Sequence, residues 1–114
     1  MTESNITNKI KHAQELIDAN RKQSRELEDR EDEFQYQMKK NNEAVDFISS
    51  QWNDVEMHRK IELCKDDLQH QMKLQSNRFS VEKEELEREK QALSSQEDEL
   101  YREQQRLLMD KESI

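Results

Sequence analysis

Apolar side chains recur along the first half of the chain at alternating steps of three and four residues, in phase from Ile6 to Val55. This heptad repeat keeps apolar residues on the side of a helix that packs against another helix. The pattern therefore predicts a heptad coiled coil over residues 6–55, after a tail of residues 1–5. Its two core rows are Ile10, Ile17, Ser24, Glu31, Met38, Val45, Trp52 and Ile6, Ala13, Asn20, Leu27, Phe34, Asn41, Ile48, Val55.

The heptad phase is lost after Val55, since the next positions of the frame would be Arg59 and Glu62. A break of this kind locally unwinds a supercoil or marks a change of partner. We therefore treat residues 56–78 as a discontinuous heptad or bend region. A bend or helix-to-helix turn at residues 74–80 is left as an alternative, because Ser and Asn side chains there compete for backbone hydrogen bonds. The apolar positions in this region are instead Met57, Ile61, Cys64, Leu68 and Met72.

A second row, with one apolar residue every seven positions, predicts a narrow leucine-row helix over residues 79–114. The second core row is polar whichever way the heptad is assigned. If the Leu residues are at d, the a positions include Lys83 and Lys90; if they are at a, the d positions include Glu82 and Glu89. Burying carboxylates costs more than letting Lys side chains extend to water, which favours Leu at d. The row is Phe79, Leu86, Leu93, Leu100, Leu107 and Ile114.

The composition supports helices without a globular core. Of the 114 residues, 31% are apolar and 40% are charged, and the chain contains no Gly and no Pro. A disordered chain can share this composition, but it has no reason to keep a heptad phase. The fold class that we predict is all-α: a long extended helix forming a coiled coil, with irregular phasing around residues 56–78.

The heptad rows predict an oligomer seam between helices, with residues 41–55 as its strongest part and Trp52 at a core position. Polar residues within the rows, such as Asn20 and Glu31, either select register and partner or are merely tolerated. The partner is another copy of the chain or a different helix. The predicted seam residues are Ile6, Ile10, Ile17, Leu27, Phe34, Met38, Val45, Ile48, Trp52, Val55, Leu86, Leu93, Leu100 and Leu107.

Candidate chemistry in the sequence is sparse. His12, His58 and His70 are spread out, and a phosphate-binding loop requires Gly, which is absent. We expect no enzymatic activity, cofactor or metal, and Cys64 is expected to pack as a small apolar residue. The net charge of −8 argues against nucleic-acid binding. Without a signal-like or membrane-spanning stretch, we expect an intracellular soluble protein that does not insert into membranes, most simply cytoplasmic, with a nuclear location left open.

Two segments, "EAVDFISSQWNDV" and "LCKDDLQHQMKLQSN", carry a family resemblance over residues 43–77. The segments resemble the coiled coil of LINE-type retroelement first-ORF proteins, in which a "SVxFxSxxxDxL" pattern heads a heptad stretch. The matching residues are Ala44, Val45, Phe47, Ser49 and Asp54. In that family the coiled coil self-assembles and separate basic domains bind RNA. For an acidic chain, the resemblance implies oligomerisation without RNA binding.

The function that these observations favour is non-enzymatic: a coiled-coil oligomerisation or scaffold protein acting through helix–helix association. The alternative is a subunit of a hetero-oligomeric adaptor, tether or stalk complex that folds beside a partner helix. A third hypothesis is an acidic disordered segment that folds on a basic partner. The number of strands, their direction and the identity of the partner are left open.

Overall fold

The computed structural model describes residues 3–52 and 54–112, which form two α-helices. Helix α1 spans Glu3–Gln51 and α2 spans Val55–Glu112. The prediction of an all-α chain with long helices is confirmed. Helix α1 begins within the segment predicted as a tail. Helix α2 continues through residues 74–80, so the chain does not turn from one helix to another there.

Polar groups of Ser50 and Asp54 form hydrogen bonds at the two ends of the connection between the helices. The Ser50 hydroxyl donates to the Phe47 carbonyl at 2.7 Å, near the end of α1. The Asp54 carboxylate accepts a hydrogen bond from the Glu56 amide at 3.2 Å, and the His58 amide donates to the Asp54 carbonyl at 2.9 Å. Asp54 is therefore the N-cap of α2, satisfying an amide that has no partner within the helix.

The chain divides into two compact units. Unit 1 contains α1 through Arg25 and α2 from Lys83 onward, and unit 2 is Glu26–Glu82. Within unit 1 the two helix segments run antiparallel. Residues further along α1 contact residues that come earlier in α2. Lys111 pairs with Glu3 at 2.9 Å, and Gln14 donates to the Tyr101 hydroxyl at 2.8 Å. Its buried cluster is Ile6, Ile10, Ala13 and Leu100, with Leu107 packed against it.

Unit 2 is an antiparallel helical hairpin closed by the connection at residues 52–54. Arg30 pairs with Glu82 at 3.1 Å, and the rings of Phe34 and Phe79 have centroids 5.8 Å apart. Nearer the connection, Lys65 lies 3.8 Å from Asp46. The buried apolar side chains of this unit include Leu27 and Ile61.

Burial along α1 follows the predicted heptad frame as far as Met38, except at Ser24, which is exposed. One of the two rows then moves by one position, to Asn42 instead of Asn41 and to Ser49 instead of Ile48, while Val45 keeps its predicted place. A straight helix drifts relative to a strict heptad, so a shift of this kind keeps the stripe facing its partner. The buried or half-buried positions are Glu3, Ile6, Ile10, Ala13, Ile17, Asn20, Leu27, Glu31, Phe34, Met38, Asn42, Val45 and Ser49.

The leucine row of α2 also lies in the helix contacts, and its last predicted member, Ile114, lies outside the described residues. Leu100 is buried, and Phe79, Leu86, Leu93 and Leu107 are half-buried. The second core row, beside the Leu positions, matches neither of the two predicted heptad assignments alone. It draws its half-buried positions from both, because these long polar side chains lie at the edge of the contact and still reach water. Those positions are Glu82, Glu97, Glu103 and Gln104.

The predicted seam residues divide into three groups. Ile6, Ile10, Leu27 and Leu100 are buried, and Ile17, Phe34, Met38, Val45, Leu86, Leu93 and Leu107 are half-buried. Ile48, Trp52 and Val55 are exposed. The buried residues pack against each other within one chain, whereas the sequence analysis predicted that they form contacts with another chain. Cys64 is exposed in this chain, so the expectation that it packs as an apolar residue is wrong here.

Candidate protein-binding site

Four exposed apolar side chains lie at the closed end of unit 2. Phe47 and Ile48 occupy the last part of α1, Trp52 lies in the connection, and Val55 is the first residue of α2. Their exposed fractions include 67% for Phe47, 54% for Trp52 and 84% for Val55. We call these four residues the apolar tip. Isolated apolar residues are common on protein surfaces, but several within one short segment indicate an interaction surface.

Helix geometry explains why the apolar tip is exposed. Phe47 lies two residues from Val45 and two from Ser49, the residues by which α1 faces its partner here. Two residues correspond to about 200° around the helix, so Phe47 is on the outer side. Trp52 follows the last residue of α1 and therefore leaves the stripe that the heptad frame assigned to it. The apolar tip thus remains free while the two helices of unit 2 are paired.

Acidic side chains accompany the apolar tip. Asp46 is next to Phe47 in sequence and pairs with Lys65, while Asp54 and Glu56 are exposed on either side of Val55. An apolar centre with charged residues around it is the usual arrangement of a protein–protein interface. The carboxylates favour a partner with basic side chains, as does the net charge of −8.

A polar layer lies in unit 1, at Asn20. Its side chain is 2% exposed, and its Nδ2 donates to the Leu86 carbonyl at 3.0 Å and to Glu89 Oε1 at 3.1 Å. A buried amide bonded across two helices penalises any other register, because sliding the helices would leave it without partners. Of the other polar residues in the rows, Glu31 is half-buried and Ser24 and Asn41 are exposed.

Sequence reasoning missed the apolar tip as an exposed surface and missed Asp54 as a cap. The signal for the cap is present, since Asp before the first residue of a helix is a preferred N-cap. Among the described residues, no three His, Cys, Asp or Glu side chains group as metal ligands would. Neither described helix contains an apolar stretch long enough to cross a membrane.

Comparison with known proteins gives one match. The model of a family described as a protein of unknown function (DUF3958) matches residues 3–107. No curated protein and no solved structure matches the chain. The match does not bear on the resemblance to retroelement coiled coils, which stays a prediction.

Proposed function

We propose that this chain, which belongs to the DUF3958 family, is a non-enzymatic scaffold protein acting through helix–helix association. In this proposal the apolar tip is where an amphipathic helix of another protein docks. The observation that carries it is the exposure of Phe47, Trp52 and Val55 at the end of two helices that already pack against each other. This corresponds to the adaptor or tether subunit that the sequence offered as an alternative to self-assembly.

The chemistry of the apolar tip supports a helical, basic partner. Tryptophan and other aromatic residues are enriched among the side chains that dominate binding energy at interfaces. Burying an exposed Phe or Val side chain stabilises a complex by about 1.5–3 kcal/mol. The carboxylates of Asp54 and Glu56 would attract Lys or Arg on the edges of the partner's apolar stripe. As part of the same proposal we place the protein inside the cell, in the cytoplasm.

Trp52 is the single tryptophan of the chain, so its fluorescence reports on the apolar tip directly. The experiment titrates the purified chain with a synthetic amphipathic helix that has a leucine stripe flanked by Lys. The control peptide has the same composition in a scrambled order. We expect the amphipathic peptide to shift Trp52 emission to shorter wavelength and to bind at least tenfold more tightly than the scrambled peptide, since only a continuous stripe covers the apolar tip.

A matched pair of variants localises the binding. Phe47→Ser should weaken binding of the peptide by about tenfold, as expected for loss of one buried aromatic contact. Tyr36→Ser, at an exposed aromatic residue elsewhere on α1, should leave it unchanged. Equal binding of both peptides, or equal loss in both variants, would show attraction by net charge and contradict docking at the apolar tip.

A further inference from the structure

A second exposed apolar surface follows the outside of α2 within unit 2. Leu63, Leu74 and Val81 are exposed, Leu63 at 60% and Val81 at 54%. They are separated by eleven and then seven residues, steps that return to within about 20° of the same direction at about 100° per residue. His70 lies on the same line. We call Leu63, His70, Leu74 and Val81 the outer stripe.

The outer stripe faces away from the helix pair of unit 2. Ile61 and Phe79, which lie in that pair, are each two residues from a member of the stripe and hence about 200° away around α2. The apolar contacts that hold unit 2 together thus leave the outer stripe uncovered. Its position differs from that of the apolar tip, which lies at residues 47–55.

We propose that the outer stripe is the surface by which two copies of this chain pair, with their α2 helices antiparallel. The proposal rests on the helix–helix association proposed above and names a second copy as the partner. A two-fold axis near residue 72 sets Leu63 opposite Val81 and His70 opposite Leu74. Because the axis repeats each contact, all three apolar residues of the stripe are covered in both copies.

Charges beside the outer stripe favour this register and this direction. Asp67 and Arg78 lie along one edge of the stripe, both are exposed, and neither forms an ion pair in the described part of the chain. In the antiparallel register Asp67 of each copy faces Arg78 of the other. A parallel pair would instead keep Asp67 of one copy about 16 Å along the helix axis from Arg78 of the other, so this attraction would be lost.

Repulsion between the two Lys73 side chains destabilises the proposed dimer. Lys73 lies near the two-fold axis on the opposite edge, so the two Lys73 side chains come close to each other. Together with the small number of apolar residues, this repulsion predicts a weak dimer. We therefore expect dissociation between about 10 μM and about 1 mM, the range of weak complexes. Removing the charge with Lys73→Gln should strengthen pairing.

The test is sedimentation velocity of the purified chain across that concentration range, with charge variants. Arg78→Asp and Asp67→Lys should each weaken the dimer by about tenfold, because each replaces two attractive contacts by two repulsive ones. An equimolar mixture of the two variants restores both contacts between unlike copies. The mixture should therefore pair about as tightly as the natural chain. Lys39→Asp, an exposed charge reversal on α1, is the control and should change nothing.

Apolar variants separate this proposal from docking at the apolar tip. Leu63→Ser should weaken the dimer and leave peptide binding by the apolar tip intact at concentrations where the chain is a monomer, whereas Phe47→Ser should do the reverse. A monomer at every concentration would overturn pairing through the outer stripe while leaving the proposed docking untouched. A dimer unaffected by Arg78→Asp, or no recovery in the mixture, would also overturn it.

Discussion

Replacing Asn20 tests whether a buried amide holds the helices of unit 1 in register. The amide makes two hydrogen bonds to α2, at 3.0 Å to the Leu86 carbonyl and at 3.1 Å to Glu89. Two substitutions separate stability from specificity. Asn20→Ala removes the hydrogen bonds and the volume, whereas Asn20→Leu removes the hydrogen bonds and fills the space with an apolar side chain.

The structure sets the expected magnitudes. A hydrogen bond contributes about 0.5–1.5 kcal/mol net, so the two bonds of Asn20 contribute about 1–3 kcal/mol. Neither acceptor is left without a hydrogen-bond partner by their loss. The Leu86 carbonyl lies within α2, where it accepts the helix hydrogen bond, and the Glu89 side chain is exposed to water. Ala favours helix over Asn by about 0.5 kcal/mol. Asn20→Ala should therefore lower the free energy of unfolding by about 0.5–2.5 kcal/mol.

Asn20→Leu should behave differently. Burial of a Leu side chain contributes about 1.5–3 kcal/mol, which offsets the lost hydrogen bonds. The stability of this variant should stay within about 1 kcal/mol of the natural chain, while the penalty on other registers disappears. A polar residue in the contact thus costs stability and selects one alignment.

Two assays read the two effects. Urea denaturation followed by circular dichroism gives the free energy of unfolding of each variant. The register is read by the nuclear Overhauser effect between the Gln14 side-chain amide and the Tyr101 ring protons. In the native alignment this amide donates to the Tyr101 hydroxyl at 2.8 Å. The signal should weaken in Asn20→Leu. An undiminished signal in that variant, or an unchanged stability in Asn20→Ala, would refute the reasoning.

Three further predictions concern the packing of unit 2. Leu27→Ala removes a buried side chain and should lower the free energy of unfolding by about 2–4 kcal/mol in urea denaturation; a loss below about 1 kcal/mol would contradict its place in the core. A double-mutant cycle of Phe34→Ala and Phe79→Ala should give a coupling of about 0.5–1.5 kcal/mol, and no coupling would contradict the ring contact. Arg30→Gln breaks an exposed pair with Glu82 and should cost less than about 1 kcal/mol, a difference that should vanish in about 1 M salt; a larger, salt-independent loss would mean that the pair acts as if buried.

The helical class and most of the packed stripe could be predicted because periodicity is a local property of the sequence. Ile6, Ile10 and Leu27 are buried at positions that the heptad frame assigns. The frame failed at Ile48, Trp52 and Val55, which are exposed. Extending a repeat to its last matching residue assumes that the helix continues that far, and apolar residues of an interaction surface match a heptad as well as core residues do.

The position of the connection was present in the sequence as the loss of phase after Val55. Val45 and Ile61 both lie in the helix contacts of unit 2 but are sixteen residues apart, which corresponds to about 160° in an uninterrupted helix. One straight helix would direct them to opposite sides. A turn lets both face one core, and Asp54 is of a residue type that favours turns and caps. The segment at residues 74–80 lacks such a change of face, and it remains helical.

The choice between pairing within a chain and pairing between chains could not be made from the heptad pattern, because the side chains in contact are of the same type in both cases. The length of the connection between the helices favours pairing within one chain. With α1 ending at Gln51 and α2 starting at Val55, each helix of unit 2 is tethered to its partner by a very short segment. Short tethers give effective concentrations on the order of millimolar, which a second chain at micromolar concentration does not match. A second chain is then left with surfaces outside the helix pair, and in unit 2 those are the apolar tip and the outer stripe.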